Sequence, residues 1–265
     1  MIRSLYTAAT GMKSQQLNID TISNNLSNVN TTGYKRQRAE FKDLMYTELK
    51  RGNPNDDEGA PVNLQVGHGV KTGVISRDMT PGSVQATNNP FDVAIDGEGY
   101  FQVQLPNGEY RYTRDGSFKL SVEGNVSRLV TSEGYYVLDN NNNRITMNSD
   151  IKDLTIDTLG NITAKNANGE DVDIATLKLV DFVNPKGLLN DGNNLYEESA
   201  ASGNATVLNN FNMDSKVLHK YLEASNVQVV DEMVNMITAQ RAYEISSKSI
   251  QTSDEMMQQA NNLKR

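Results

Sequence analysis

The stretch from residue 222 to residue 263 is the feature that most restricts the fold, because it contains neither glycine nor proline. Six apolar residues in it follow at intervals of seven: Leu222, Val229, Met236, Tyr243, Ile250 and Met257. This heptad spacing predicts a helix of about 40 residues, about 60 Å long, with a narrow apolar seam for partner helices. Small side chains allow another helix to approach closely. They form a parallel stripe, interrupted by Glu232, of Ser225, Ala239, Ser246, Ser253 and Ala260.

The first 30 residues carry a shorter version of the same spacing. Leu5, Met12, Ile19 and Leu26 are seven residues apart, and a second row runs through Ala8, Ile22 and Val29. Gly33 follows, and a glycine can take the positive φ that commonly ends a helix. Both terminal rows predict helices packed against partner chains; the alternative is that the two helices pair within one soluble monomer.

Between the termini the sequence changes to short β-branched or aromatic runs, such as VAIDGEGYFQVQL and YRYTRDGSFKL. Pairs that favour hairpin turns separate the runs: Asn107-Gly108, Asp115-Gly116 and Asn168-Gly169. The stretch RGNPNDDEGAP at 51–61 is typical of an exposed loop or extended linker. The runs therefore predict antiparallel β structure preceded by a linker.

Together these zones predict an α+β fold, with an antiparallel all-β domain inserted between discontinuous terminal coiled-coil helices at the N and C ends. The predicted domains are a terminal helical domain of residues 1–36 and 222–265, a linker or extended segment of residues 37–70, and a β domain of residues 71–221. Aromatic residues make up only 6% of the chain, so the core should be small and partners should contribute to stability.

Composition excludes several classes of function. A net charge of −8 and a pI of about 4.9 argue against nucleic acid as a partner, because that binding depends on neutralising phosphates. Without cysteine there is no disulfide and no thiolate metal site. No apolar run is long enough to span a membrane, and the first 30 residues lack the apolar core of a cleavable signal peptide. Composition alone would place the protein in the cytoplasm.

The sequence offers weak candidates for chemistry. His68 and His219 lack a metal-binding neighbourhood, and the loop at 96–99 lacks the spacing of a phosphate-binding loop. The run at 139–143 lacks the glycine and distant glutamate of a calcium loop. A carboxylate pair acting on cell-wall glycan remains an alternative, although tryptophan and a GxSxG motif are absent. We predict no enzyme activity, cofactor or metal.

Five stretches resemble one family. SNNLSNVNTTGYKR at 23–36 resembles the N-terminal motif of the bacterial flagellar rod and hook proteins, and residues 223–263 resemble their C-terminal helix. Residues 93–120 and 179–196 are similar to their shared β domain. The segment YTELKRGNPNDDEGAPVNLQV at 46–66 resembles a linker of the distal rod members, with a proximal rod or hook-like paralogue as the alternative.

The resemblance implies a structural subunit of the flagellar basal body. Such subunits polymerise helically with copies of themselves into a hollow rod, which transmits motor torque to the hook. The implied partners are further copies, other rod and hook proteins, and the flagellar type III export apparatus. The implied location is the basal body, reached by export without a cleaved leader, in place of the cytoplasm.

The predicted assembly interface lies on both terminal segments. Its N-terminal members are Leu5, Met12, Ile19, Ile22, Asn24, Asn25, Leu26, Asn28, Val29, Asn30, Gly33 and Tyr34. Its C-terminal members are Leu222, Asn226, Val229, Met233, Met236, Gln240, Arg241, Tyr243, Ile250 and Met257.

Three hypotheses accompany this interface. The asparagines at 24, 25, 28 and 30 either set the register between subunits or cap the end of the helix. The terminal segments are expected to be disordered in a free monomer, because short polar segments do not offset the entropy of ordering. The linker at 46–66 is expected to wedge between subunits and stiffen the rod.

Overall fold

The computed structural model describes residues 2–50, 64–124, 126–148, 152–165, 170–208 and 215–263. The chain forms two compact units, each assembled from segments far apart in sequence. The first unit contains Met1–Ser27, Gln37–Arg77 and Gln228–Arg265, and the second contains Asn28–Arg36 and Asp78–Val227. The domain boundaries predicted from the sequence stay a prediction beside this division.

Two helices form most of the first unit. Helix α1 is Ile2–Ser27 and helix α2 is Val229–Asn262. Asp231 and Glu232 occupy the first turn of α2, where negative charge complements the helix dipole. The structure differs from the predicted helix at its start, because residues 221–223 form a strand instead. Their backbone groups pair with residues 84–86 and are unavailable to a helix.

Two antiparallel strand pairs complete the first unit: β1 (Gln37–Asp43) with β4 (Val70–Arg77), and β2 (Tyr46–Lys50) with β3 (Leu64–Gly67). The longer ladder runs from Gln37 opposite Arg77 to Asp43 opposite Val70. Helix α1 packs against β1 and β4. Residues 37–43 and 46–50 of the predicted linker or extended segment form strands, and the RGNPNDDEGAP stretch lies outside the described residues.

The second unit is a β domain, and every strand pair in the described ranges is antiparallel, as predicted. Its strands are β5 (Val84–Ala86), β6 (Val93–Asp96), β7 (Tyr100–Gln104), β8 (Tyr110–Thr113), β9 (Lys119–Glu123), β10 (Val126–Val130), β11 (Tyr136–Val137), β12 (Thr146–Asn148), β13 (Lys152–Ile156), β14 (Asn161–Lys165), β15 (Asp171–Thr176), β16 (Leu179–Asp181), β17 (Leu189–Gly192), β18 (Leu195–Glu197), β19 (Thr206–Val207), β20 (Lys216–His219) and β21 (Tyr221–Glu223).

The largest sheet has the order β12-β10-β11-β7-β8-β18-β17, with β9, β16 and β19 paired alongside. The Asn107-Gly108 pair connects β7 to β8 as a hairpin, with Gly108 at a φ of +90°. Asp115-Gly116 does not join paired strands, since β8 pairs with β7 and β18 whereas β9 pairs with β10. Asn168-Gly169 lies outside the described residues.

Strand β7 is buried on both faces, and its alternating side chains enter two apolar clusters. Phe101 belongs to the larger cluster, where its ring meets the edge of Phe118 at 5.2 Å between centroids. Tyr100 belongs to the smaller cluster with Tyr112, Phe182 and other buried side chains. Buried aromatic side chains thus contribute to both clusters at the centre of this unit.

Replacing Tyr100 with phenylalanine is expected to stabilise the second unit by about 1 kcal/mol. The buried Tyr100 hydroxyl has no hydrogen-bond partner among the described residues, and an unsatisfied buried hydroxyl is costly. Tyr112→Phe is the matched control, because the Tyr112 hydroxyl donates to Glu198 at 3.3 Å. Urea unfolding of both variants checks this, and a destabilised Tyr100→Phe protein would contradict it.

The same pair of tyrosines predicts alkaline instability of the second unit. Burial raises the pKa of Tyr112 to about 12, and it raises the pKa of Tyr100 as well. A raised pKa in the folded state favours the neutral phenol, so this contribution is complete below the unfolded pKa of about 10 and is lost as pH rises through 12. Stability of Tyr100→Phe should therefore decline less steeply above pH 10 than that of the unsubstituted protein.

Candidate assembly surface

Helices α1 and α2 pack against each other through small and polar side chains. The hydroxyls of Ser4 and Ser253 are 3.4 Å apart, and a Cβ placed on Gly11 would lie 3.4 Å from the Ser246 hydroxyl. Asn25 meets Glu232 further along the same contact. Steps of seven or fourteen residues forward in α1 match equal steps backward in α2, which is an antiparallel register.

This seam uses the small stripe of α2 and leaves much of its large heptad row partly accessible. Glu232, Ala239 and Ser253 are the buried residues of α2, whereas Val229 and Tyr243 are exposed. The two helices therefore pair within one chain, one of the alternatives that the sequence raised. Because small side chains occupy the seam, the helices approach closely.

Asn25 is the polar centre of the first unit, and its side chain is buried. Its amide nitrogen donates to the Gln37 carbonyl at 2.8 Å and to Glu232 Oε2 at 3.0 Å, while its amide oxygen accepts from the Gln37 N–H at 2.8 Å. One side chain thus joins α1, β1 and α2. Asparagine suits this position because its amide has both donors and acceptors.

The other asparagines of the opening motif occupy different surroundings. Asn24 and Asn30 are exposed. In the second unit, Asn28 accepts a hydrogen bond from the Thr31 hydroxyl at 3.1 Å, and its carbonyl accepts from the Thr31 N–H. Asn28 therefore opens the turn that follows α1. The four residues lie in different surroundings, and both the register role and the capping role stay predictions.

A second apolar surface lies on the side of α2 turned away from α1. We call it the exposed apolar row, and its members are Val230, Met233, Val234, Ile237, Ile245 and Met256. At about 100° per residue they fall within a sector of about 140°. Val230 is 72% exposed and Ile245 is 68% exposed. The sequence prediction included only Met233 from this row.

The sequence contained a signal for this row that the heptad count did not use. Val234, Ile237 and Ile245 follow at intervals of three and eight, a helical spacing on the opposite face from the small stripe. Both faces of α2 carry apolar or small residues, so the sequence pattern does not show which face is buried. Only the position of α1 shows which face remains uncovered.

The other predicted residues of the first unit are placed as follows. Ile22 is buried, and Leu5, Met12, Ile19 and Leu26 are half-buried. On α2, Met236, Ile250 and Met257 are half-buried, while Gln240 and Arg241 are exposed. Arg241 falls within the sector of the exposed apolar row, and so do the exposed Glu244, Lys248 and Glu255.

Seven predicted residues belong to the second unit instead: Asn28, Val29, Asn30, Gly33, Tyr34, Leu222 and Asn226. Leu222 lies in β21 opposite Gln85. Gly33 has a φ of +65°, which agrees with its predicted conformation. Its N–H donates to the Glu223 carbonyl at 2.9 Å, so its backbone is held within the same chain.

The weak chemical candidates have ordinary structural partners. His68 contacts the Thr47 hydroxyl at 2.6 Å, and His219 contacts the Pro90 carbonyl at 2.9 Å. Asp139 accepts hydrogen bonds from the N–H groups of Asn141 and Asn143, which makes the 139–143 run a tight turn. Within the described ranges, no group of three or more potential metal ligands occurs. None of the helices described is long and apolar enough to cross a membrane.

Comparison with known proteins finds family matches at both ends of the chain and in the β domain. The family "Flagella basal body rod protein" matches residues 5–35, and "Flagellar basal body rod FlgEFG protein C-terminal" matches residues 218–263. The family "Flagellar hook protein FlgE/F/G D1 domain" matches residues 94–164. The flagellar basal-body rod protein FlgG of Borreliella burgdorferi is 47% identical over the full length of both chains. The chain belongs to the flagellar basal-body rod protein family.

Two relatives from Bacillus subtilis show the range of this rod family. Its flagellar basal-body rod protein FlgG is 38% identical over the full length of both chains. Its flagellar hook-basal body complex protein FlhP is 36% identical over 97% of each chain. The β domain and both helices are therefore covered by relatives of similar length, and the expected resemblance to the rod family is confirmed.

Proposed function

We propose that the protein is a structural subunit of the flagellar basal-body rod and polymerises with copies of itself. The exposed apolar row of α2 is the observation that carries this proposal. Its opposite face is already occupied by α1, so the row faces outward from the first unit. Val230, Met233, Val234 and Ile237 lie within about two turns of the helix, and a cluster of exposed apolar side chains of this kind is typical of an interaction site.

The occupant of this row is a second copy of the chain. Every copy presents the same row, so one contact can repeat from subunit to subunit. A head-to-tail contact whose rotation does not close produces a helical polymer. Helical polymerisation through the terminal segments agrees with the rod proteins to which the chain is related, and a coiled-coil arrangement of these segments belongs to the same proposal.

The distal part of the rod is the proposed location, because relatives named FlgG match the full chain. A rod there would transmit torque to the hook. A paralogue of the hook-basal body complex is the second candidate, and the FlhP relative favours it. No observation favours a glycan hydrolase, and the proposed role is structural rather than enzymatic.

The segment at 46–66 is proposed to contact neighbouring subunits and stiffen the rod. Residues 51–63 of it lie outside the described residues. The strands on either side expose apolar side chains, among them Tyr46, Leu49 and Leu64, and adjoining Met45 is 85% exposed. These side chains supply an apolar surface that a neighbouring subunit would bury.

Export through the flagellar type III apparatus completes the proposal. Other rod and hook proteins are the proposed neighbours at the two ends of the polymer.

Replacing Val234 with glutamate is expected to prevent polymerisation while leaving the monomer folded, and no basic residue lies three or four positions away to pair with the new carboxylate. A carboxylate buried without a partner costs about 3 kcal/mol or more, and each 1.4 kcal/mol is tenfold, so the critical concentration should rise at least about 100-fold. The free energy of unfolding should change by less than about 0.5 kcal/mol, since the side chain is exposed in the monomer. Sedimentation and electron microscopy measure the polymer.

Val183→Glu is the matched control, because Val183 is 87% exposed in the second unit and receives the same charge. We expect it to polymerise like the unsubstituted protein. Rods and motility at normal levels in cells producing only Val234→Glu would refute the proposed surface.

A further inference from the structure

Two distant passages of the chain are fastened to each other inside the second unit. The first passage is residues 28–36, which follow α1, and the second is residues 223–226, which precede α2. The Gly33 N–H donates to the Glu223 carbonyl at 2.9 Å, and the Arg36 N–H donates to Asn226 Oδ1 at 2.7 Å. The acceptors for both amides therefore come from the second passage.

The Glu223 carboxylate is the charged centre of this contact, and its side chain is 1% exposed. Its Oε1 accepts from Lys35 Nζ at 2.6 Å and from the Gly82 N–H at 2.8 Å, and its Oε2 accepts from Arg114 Nη1 at 3.3 Å. The Lys35 side chain is 0% exposed. The Glu223 carboxylate thus pairs with two buried cations, Lys35 and Arg114, which come from different parts of the chain.

The Lys35 ammonium has two acceptors, and they come from different segments of the chain. Besides Glu223, it donates to the Thr80 carbonyl at 2.9 Å. Burial lowers the pKa of Lys35, and the nearby Glu223 carboxylate opposes that effect. A buried ammonium without its acid would be strongly unfavourable, so Lys35 has no stable place here until Glu223 is present.

Asn226 binds a third segment, which contains Asp78 and Thr80, to the same two passages. Its amide nitrogen donates to the Asp78 carbonyl at 2.9 Å and to the Thr80 carbonyl at 3.1 Å, while its oxygen holds the Arg36 N–H. The start of the β domain, the first passage and the second passage therefore meet in one hydrogen-bond network. All of these groups belong to one chain and one compact unit.

We propose that Glu223 is a closing residue, which docks the first passage only when the last part of the chain has arrived. The first passage contributes one buried cation, Lys35, and two amide donors, and the second passage contributes their acceptors. The first passage is synthesised early, but it stays loose until residues 223–226 join it. A subunit lacking its C-terminal segment would therefore lack an ordered connection after α1.

This inference does not depend on polymerisation, because every partner lies within one chain. It also assigns Gly33, Tyr34 and Asn226 to internal closure, where the sequence placed them in the contact between subunits. The Tyr34 carbonyl also accepts a hydrogen bond from the Asn226 N–H at 3.4 Å, so each passage donates a backbone hydrogen bond to the other.

Glu223→Gln in the full-length protein tests the proposal, with amide hydrogen exchange at Gly33 and Arg36 as the readout. The acceptors of these two amides are the residue 223 carbonyl and Asn226, and the substitution removes neither. We expect both amides to exchange at least about tenfold faster while the amides of β7 stay protected. Glu133→Gln, at an exposed acid of the same unit, should leave exchange unchanged.

Unchanged exchange at Gly33 and Arg36 in Glu223→Gln would overturn the proposal. Equal acceleration at these amides and throughout β7 would also overturn it, because Glu223 would then only support the whole unit. Should Glu223→Gln fail to fold, Asn226→Ala replaces it, with Gly33 as the reporter because its acceptor is unaltered. Faster exchange at Gly33 supports a joint closure, and unchanged exchange refutes it.

Pulse-labelled refolding of the unsubstituted full-length protein tests the order of events. The Ala224 N–H, which donates to the Ser83 carbonyl at 2.8 Å, reports on arrival of the second passage. The amides of Gly33 and Arg36 should become protected together with Ala224 or after it. Protection of Gly33 and Arg36 in an earlier phase than Ala224 would contradict the closing role.

Discussion

Replacing Asn25 with leucine is expected to destabilise the first unit by about 3–5 kcal/mol. Leucine is similar in size but leaves the N–H and carbonyl of Gln37 without their partner, and it removes one donor from the buried Glu232 carboxylate. Each unsatisfied buried polar group costs about 1–3 kcal/mol, and a charged group costs more. Far-UV circular dichroism during urea unfolding, which follows α1 and α2, measures the change.

Gln16→Leu is the control for this substitution, because Gln16 is an exposed amide on the same helix. Its effect should stay within about 0.5 kcal/mol. The β domain should remain folded in Asn25→Leu, and rod incorporation should fall because the first unit is unstable. A variant with unaltered stability but lost incorporation would instead favour the register hypothesis for Asn25.

Replacing Gly33 with alanine is expected to destabilise the second unit by about 3 kcal/mol. A φ of +65° costs a residue with a Cβ about 1 kcal/mol. The new Cβ would also lie 2.9 Å from the Arg114 carbonyl carbon and from the Asp115 nitrogen. These are backbone atoms that cannot rotate away, so overpacking adds about 1–3 kcal/mol.

Gly124→Ala separates the two causes. Gly124 has a φ of +67°, and a Cβ there would meet nothing within 4 Å. Gly124→Ala should therefore lower the free energy of unfolding by only about 1 kcal/mol, from the backbone conformation alone. Equal losses in the two variants, measured by urea unfolding of the second unit, would show that the close approach at Gly33 has no energetic effect.

Local patterns were sufficient to predict the class of fold. The helices at both ends followed from apolar spacing and from the absence of glycine and proline in α2. The Asn107-Gly108 hairpin followed from turn chemistry, because the two residues alone determine that backbone conformation. These features depend on residues within one or two turns of each other, so they can be recognised without the rest of the chain.

Local patterns failed where a backbone group had a distant partner. Heptad spacing extended the last helix back to Leu222, but that backbone pairs with a strand more than a hundred residues earlier in the chain. Asp115-Gly116 has the composition of a hairpin, yet the flanking strands pair elsewhere. Tertiary hydrogen bonds outweigh a local preference of this size.

The family, the terminal helices and the antiparallel β domain were determined by the amino-acid sequence itself, since motifs and periodicity are properties of short stretches. Only the tertiary structure decided which face of α2 is covered, and that Asn25 and Glu223 are internal partners. The reason is separation along the chain: Asn25 meets Glu232 across 207 residues, and Lys35 meets Glu223 across 188 residues. A buried polar side chain acquires its role from the partner that folding brings to it.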